Sequence, residues 1–162
     1  MVARTTNLLF HSPNATERFA TLLSGYLERG DTLLLSGPVG AGKSHFARKT
    51  IRPLLAHDED IPSPTFTLVQ TYEGKEGEIW HADLYRLSDS LEVVELGLTE
   101  AFSDAICIVE WPDRLGRLAP KDALRLAFSM TDTDSEREVE ISWQDGTWDK
   151  RLSSMLADHA AF

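Results

Sequence analysis

The apolar residues of this chain switch between two periods. Phe19, Leu22, Leu23, Tyr26 and Leu27 recur three and four residues apart, which predicts a helix with one apolar face. Ser12-Pro13-Asn14 supplies its start, with Glu17 near the positive end of the dipole, and Gly30 its stop. The next stretch, Asp31 to Ser36, carries three consecutive leucines and reads as a strand buried on both faces. Thr6 to Phe10 predicts a short strand ahead of the first helix, and Lys43 to Ala56 a second helix. Beyond the stiff loop Ile61-Pro62-Ser63-Pro64, Thr65 to Glu73 and Glu78 to Tyr85 predict two strands joined tightly through Gly74 and Gly77, an antiparallel hairpin. Leu91 to Leu98 predicts a short helix and Ala105 to Glu110 a buried strand. Leu124 to Ser129 and Glu138 to Trp143 predict a second strand pair, and Gly146 to His159 a closing helix. Strands alternate with helices early and hairpins follow, so the expected fold is a three-layer α/β domain with a mixed parallel and antiparallel sheet. No repeat, low-complexity tract or linker divides residues 1–162, which read as a single domain.

The connection between the second predicted strand and the second predicted helix carries the chemistry. Gly37-Pro38-Val39-Gly40-Ala41-Gly42-Lys43-Ser44 fits the pattern G-x-x-x-x-G-K-[ST]. Its glycines let the backbone turn its N–H groups inward onto phosphate oxygens, and the following helix adds its positive end. Lys43 is placed to reach the β- and γ-phosphates, and the Ser44 hydroxyl to bind magnesium. Average residue usage gives such a match by chance in on the order of one chain in 200. The strand before it and the helix after it sharpen the signal further, so the chain is expected to bind ATP with Mg2+.

Phosphate chemistry of this kind calls for an acidic residue at the end of a neighbouring apolar strand. Ala105-Ile106-Cys107-Ile108-Val109-Glu110 ends in one, and a lone carboxylate is too costly to bury unless a cation compensates it. Glu110 is thus a candidate magnesium residue, or else a solvated acid closing a strand. Asp83, in His81-Ala82-Asp83-Leu84-Tyr85-Arg86, is a second candidate. Alternation puts His81, Asp83 and Tyr85 on one face, where Asp83 could orient an attacking water, bind a water of the metal shell, or simply pair with Arg86. His81 reads as a structural or surface residue rather than a chemical one. Thr65, after Ser63-Pro64, sits where a nucleotide-sensing switch loop would lie, or it begins a strand. Trp111, between Glu110 and Pro112, could flank the nucleotide or a partner, or pack in the core. Cys107 reads as a small buried hydrophobe.

Composition narrows the partners. The chain has 16 Lys and Arg against 26 Asp and Glu, a net charge of −10. Nucleic-acid binders present a basic face, so direct RNA binding is not expected, and a protein partner should offer a basic surface. The longest apolar runs are far shorter than the roughly 20 residues a bilayer requires. Met1 to Phe10 lacks the features of a signal peptide, and the single cysteine excludes an internal disulfide. A cytoplasmic location is the expectation, with neither membrane nor DNA as a partner.

Four segments together resemble one family: Gly37 to Ser44, Ser63-Pro64-Thr65-Phe66-Thr67-Leu68-Val69, His81 to Arg86, and Val109-Glu110-Trp111-Pro112. In this order and spacing they look like the bacterial TsaE family, small ATPases required for threonylcarbamoyladenosine (t6A) modification of tRNA. The resemblance covers roughly residues 12 to 118 and implies a P-loop NTPase fold. Its implied partners are TsaB and TsaD, which transfer the threonylcarbamoyl group to adenosine 37 of tRNA, with tRNA met only indirectly. It also implies an ATPase that is weak alone, stimulated by those partners, and used to reset their complex. Carried onto this chain, it makes Gly37, Val39, Gly40, Ala41, Gly42, Lys43 and Ser44 the phosphate loop. Ser44 and Glu110 become the metal residues, Asp83, Thr65 and Glu110 the catalytic set, and Trp111 a functional aromatic at the nucleotide. Ser44 stands where many members have Thr, and either hydroxyl serves. Two other readings stay open on sequence grounds. One is a small-molecule or nucleoside kinase, thinly supported by Arg114 and Arg117. The other is a nucleotide-gated binding module that hydrolyses little.

Overall fold

The computed structural model describes residues 4–64 and 66–158. Seven strands form one sheet in the order β1-β7-β6-β2-β5-β4-β3. These are β1 Arg4–Phe10, β2 Thr32–Ser36, β3 Val69–Gly74, β4 Gly77–Asp83, β5 Ile106–Glu110, β6 Leu124–Met130 and β7 Arg137–Trp143. The middle of the sheet is parallel, with β2 between β5 and β6 and β4 beyond β5. The edges are antiparallel, β6 with β7, β7 with β1, and β4 with β3. The sheet is mixed, as expected. The chain leaves β2 where its parallel neighbours lie on opposite sides, the crevice at which open α/β sheets hold ligands.

Side-chain alternation sorts the sheet residues onto two faces. Leu33 and Leu35 of β2, Ile106 and Ile108 of β5 and Ile79 of β4 join one core cluster. That face is covered by helices α1 Pro13–Ser24, α2 Lys43–Ile51 and α5 Gly146–Asp158. Leu34, Cys107, Val109 and Ala82 join the opposite cluster, under helices α3 Leu91–Glu95 and α4 Leu98–Asp104. The result is three layers. Burial there pushes the Cys107 thiol up to about 12, which keeps it protonated and inert, in line with its reading as a small hydrophobe.

One chain of rings fastens α2 to the sheet. Phe10 lies 5.4 Å from Phe19, Phe19 6.1 Å from Phe46, and Phe46 5.3 Å from Phe128, centroid to centroid. It links β1, α1, α2 and β6, and each ring pair adds about 0.5–1.5 kcal/mol beyond its area burial. Phe46 belongs to the first turn of α2, so this packing fixes the end of the helix that carries Lys43 and Ser44.

Several elements end earlier than the apolar periodicity suggests, each for a local reason. The first helix stops at Ser24, because Gly25 caps it and Tyr26 and Leu27 close tight turns onto the Leu23 and Ser24 carbonyls. The second stops at Ile51 and passes into a 3₁₀ turn, Arg52–Leu54, since Pro53 cannot continue an α-helix. The third strand starts at Val69 rather than Thr65. Leu68 takes a left-handed φ of 67° and its N–H bonds the Pro64 carbonyl, curling the chain before pairing begins. The expected helix Leu91 to Leu98 is two helices, broken at Gly97 with φ 83°. The closing helix runs to Asp158, and His159 lies outside the described residues.

The seat of the phosphate loop is tight. Gly37 has φ 133°, and a Cβ there would run into the Phe128 carbonyl oxygen of β6 and lie 3.1 Å from the Phe128 Cβ. Both the conformation and the space exclude other residues. Gly37→Ala should therefore lose about 1–3 kcal/mol of stability in urea unfolding, and its nucleotide affinity should fall. A variant with wild-type stability would show that β6 does not seat the loop.

Candidate functional site

The loop between β2 and α2 forms one wall of a cavity of about 400 Å³. Val39, Gly40, Gly42, Lys43, Ser44 and His45 line that wall, and Asp83, Tyr85, Glu110 and Trp111 line the other. Gly42 is the N-cap of α2, with φ 101° and no side chain to satisfy the helix's first N–H groups. Those donors point along the dipole into the space beside the loop. Gly37 shapes the loop from behind, and Ala41 is buried, its N–H donating to the Pro38 carbonyl.

The opposite wall follows from strand register. Asp83 and Glu110 are paired positions of the parallel strands β4 and β5. By the alternation that sends Ile79, Ile106 and Ile108 under α2, residues 81, 83 and 110 face the same way. Glu110 is 1% exposed and Asp83 6%. Two carboxylates buried side by side need compensating positive charge and donors. The Ser44 hydroxyl donates to Glu110 Oε1 at 2.7 Å, and His81 Nε2 lies 2.7 Å from Glu110 Oε2. Asp83 Oδ1 accepts the Tyr85 N–H at 3.1 Å. Arg86, the alternative partner considered for Asp83, stacks its guanidinium on the Phe66 ring at 4.6 Å.

Lys43 is only 5% exposed and reaches into the same cavity. Its ammonium donates to the Gly37 carbonyl and lies 3.5 Å from the centre of the Trp111 ring. Burial pulls its pKa below the usual lysine value, while Glu110, Asp83 and Asp113 pull it back up. Trp111 meets Lys43 because its backbone is left-handed, φ 59° and ψ 54°, rare for a bulky residue. Its N–H bonds the Leu35 carbonyl, and its ring lies 4.9 Å from the Tyr85 ring. The ring belongs to the cavity and not only to the core.

A smaller cavity of about 220 Å³ adjoins the loop on its other side, lined by Pro13, Thr16, Ala41, Gly42, His45, Ser135 and Arg137. Arg137 donates to the Gly40 carbonyl at 3.3 Å, tying β7 to the loop. His45 lines both cavities. Burial lowers its pKa, helped by Lys49 and Arg48. The sequence reading passed over His45, although its place directly after Ser44 in the first turn of α2 was a usable signal. It also passed over Tyr85, which alternation had already put beside Asp83.

The residues singled out from sequence thus converge. Val39, Gly40, Gly42, Lys43, Ser44, Asp83, Glu110 and Trp111 line one cavity, and Gly37 and Ala41 build its loop. Of the two roles expected of His81, structural or surface, it takes the structural one. It is fully buried and bonded to Glu110, behind the cavity wall rather than at a surface. Thr65 lies outside the described residues. Among the described residues, the Leu68 carbonyl just ahead of β3 accepts the Asp83 N–H at 2.8 Å.

The donors present suit a hard cation held partly by phosphate. Ser44, at the cavity's edge, spends its proton on Glu110, so its Oγ keeps lone pairs able to bind a cation. Among the described residues, no group of three or more His, Cys, Asp or Glu forms a protein-only metal cage. Magnesium bound with nucleotide commonly uses one or two carboxylates, substrate oxygens and water, and Ser44, Glu110 and Asp83 fit that requirement.

Comparison with known proteins identifies the family and the fold. The family profile described as "Threonylcarbamoyl adenosine biosynthesis protein TsaE" matches residues 10–139. The tRNA threonylcarbamoyladenosine biosynthesis protein TsaE of Rickettsia conorii (strain ATCC VR-613 / Malish 7) is 32% identical over 149 residues, covering 92% of this chain and 77% of that protein. Its counterpart of the same name in Bacillus subtilis (strain 168) is 33% identical over 132 residues, covering 81% of each. The crystal structure of Bacillus subtilis YdiB superimposes with a TM-score of 0.79 at 23% identity, covering 98% of both chains, and so shares the fold. With a P-loop at the crevice of a mixed sheet and a family match across most of its length, the chain belongs to the TsaE family.

Proposed function

We propose that this chain binds ATP with Mg2+ at the Gly37–Ser44 loop and hydrolyses it as the ATPase component of tRNA t6A modification. The observation that carries the proposal is the bond between Ser44 and Glu110, with Asp83 alongside in the cavity that Lys43 enters. The loop amides and Lys43 bind and orient the triphosphate, and Ser44 Oγ and Glu110 hold the metal. Magnesium, when bound, neutralises charge on the β- and γ-phosphates. Asp83, next to Glu110 and fixed by the Tyr85 N–H, orients the water that attacks the γ-phosphorus. The products are ADP and inorganic phosphate. Trp111 and Tyr85 border the site, their rings 4.9 Å apart.

The family's role in threonylcarbamoyl adenosine biosynthesis supports the link to t6A. The partners are TsaB and TsaD, whose complex the cycle resets between turnovers, and the net charge of −10 suits contact with tRNA only through them. The loop anchored to the Asp83 N–H through Leu68 supplies a route from phosphate chemistry to that complex. Arg114, on which a kinase reading would lean, donates to the Tyr85 carbonyl.

Lys43→Ala should weaken ATP–magnesium binding by about 10- to 100-fold, the worth of a hydrogen bond to a charged group, while the fold survives. Calorimetric titration of both proteins checks this, and equal affinities would remove the phosphate-loop assignment. Asp83→Ala should still bind ATP, but hydrolysis should fall by about 10²–10⁴-fold. With TsaB, TsaD, tRNA and a threonylcarbamoyl donor, it should allow one round of modification and then stop. Modified adenosine formed per complex over time is the measurement, and a normal multiple-turnover rate would remove Asp83 from the cycle.

A further inference from the structure

His81 stands in the interior of the sheet, at a β4 position where parallel strands usually carry Val or Ile. It is fully buried, on the face covered by α2. Of its two ring nitrogens, Nε2 lies 2.7 Å from Glu110 Oε2, whereas the buried Nδ1 has no hydrogen-bond partner. A carboxylate only accepts, so Nε2 carries the proton of this bond, and Nδ1 is left without a partner. A buried polar atom without a partner is a cost that a similar-sized apolar residue would not bring. The one thing obtained for it is the bond to Glu110.

That bond completes a clamp. Glu110 has two oxygens: Oε1 takes the Ser44 hydroxyl and Oε2 takes His81. With a dedicated donor on each oxygen, one from α2 and one from β4, the carboxylate cannot rotate about its terminal bond without breaking a short, charge-assisted hydrogen bond. Its remaining lone pairs are thereby aimed at the space beside Ser44. His81 does not line the cavity, so it acts through Glu110 alone.

We propose that His81 is a positioning residue of the nucleotide site: its Nε2–H holds the Glu110 carboxylate in the orientation that receives magnesium. The inference rests on the reading of Ser44 and Glu110 as the metal residues. Outer donors of this kind typically change metal affinity by about 10- to 100-fold when removed.

The test is ATP binding to the full chain, titrated over a range of magnesium concentrations and also in EDTA, with thermal melting to report folding. His81→Leu removes the donor, His81→Gln carries an amide N–H out to the reach of Nε2, and His81→Asn carries one that stops short. The magnesium midpoint should rise about 10- to 100-fold in the Leu and Asn variants and return to within about threefold of wild type in the Gln variant. Affinity for metal-free ATP should stay at the wild-type value in all three. If the Leu variant does not fold, the Asn and Gln pair decides in the same way. A wild-type midpoint in the donor-less variants, a Gln variant as impaired as Asn, or loss of folding in all three would overturn the inference and leave His81 a structural residue. A wild type whose ATP affinity ignores magnesium would instead take down the metal site itself, and this inference with it.

Discussion

The site depends on one hydrogen bond, from the Ser44 hydroxyl to Glu110. It joins the first turn of α2 to the last residue of β5. It also joins the loop proposed to bind phosphate to the carboxylate proposed to hold the metal. For the bond to exist, Glu110 must point to the face that α2 covers, and strand alternation decides this. A slip of one residue in β5 would send Glu110 to the opposite face and Val109 into the cavity. The fully buried run Ile106 to Val109, packed on both sides of the sheet, forbids such a slip. The ring series from Phe10 to Phe128 does the same work on the helix side, fixing the height of α2 above the sheet. Core packing and site geometry are in this sense one problem.

Charge is the second constraint. Glu110 and Asp83 are neighbours in register and nearly without solvent. Lys43 answers them electrostatically, yet its ammonium rests on the Gly37 carbonyl and the Trp111 ring. A desolvated lysine beside two carboxylates and an aromatic face puts concentrated charge in a low-dielectric setting, where electrostatic interactions count for more than in water. The left-handed Trp111 backbone is the local strain that this arrangement carries, on the order of 1–3 kcal/mol.

Much of this was legible in the sequence. The Gly37–Ser44 motif is a local pattern, and its place between a buried strand and a helix could be read entire. Glu110 was singled out as an acid ending an apolar strand, where burial without a purpose would be costly, and Asp83 as an acid within a strand, where Asp is disfavoured. Their adjacency was not legible: it comes from the parallel pairing of β4 with β5, a contact between residues far apart in the chain. The same pairing brings His81 to Glu110, and for that reason periodicity alone gave His81 a structural or surface role. Element ends were missed where single residues overrule a longer pattern, at Gly25, Pro53, Leu68 and Gly97. His45 faces two cavities at once, which only the packing of α2 against β7 and α1 reveals.

The most direct test of the account is calorimetry of ATP binding to wild type and to Glu110→Gln, each with and without magnesium. Glutamine keeps the shape and a hydrogen-bond acceptor while removing the charge. The wild type should gain at least about tenfold in affinity from magnesium, roughly 1.4 kcal/mol. Glu110→Gln should bind metal-free ATP at least as tightly as wild type, having lost a repulsive charge, and should gain little from the metal. An undiminished magnesium gain in Glu110→Gln would contradict the claim that the Ser44–Glu110 pair is the metal end of the site.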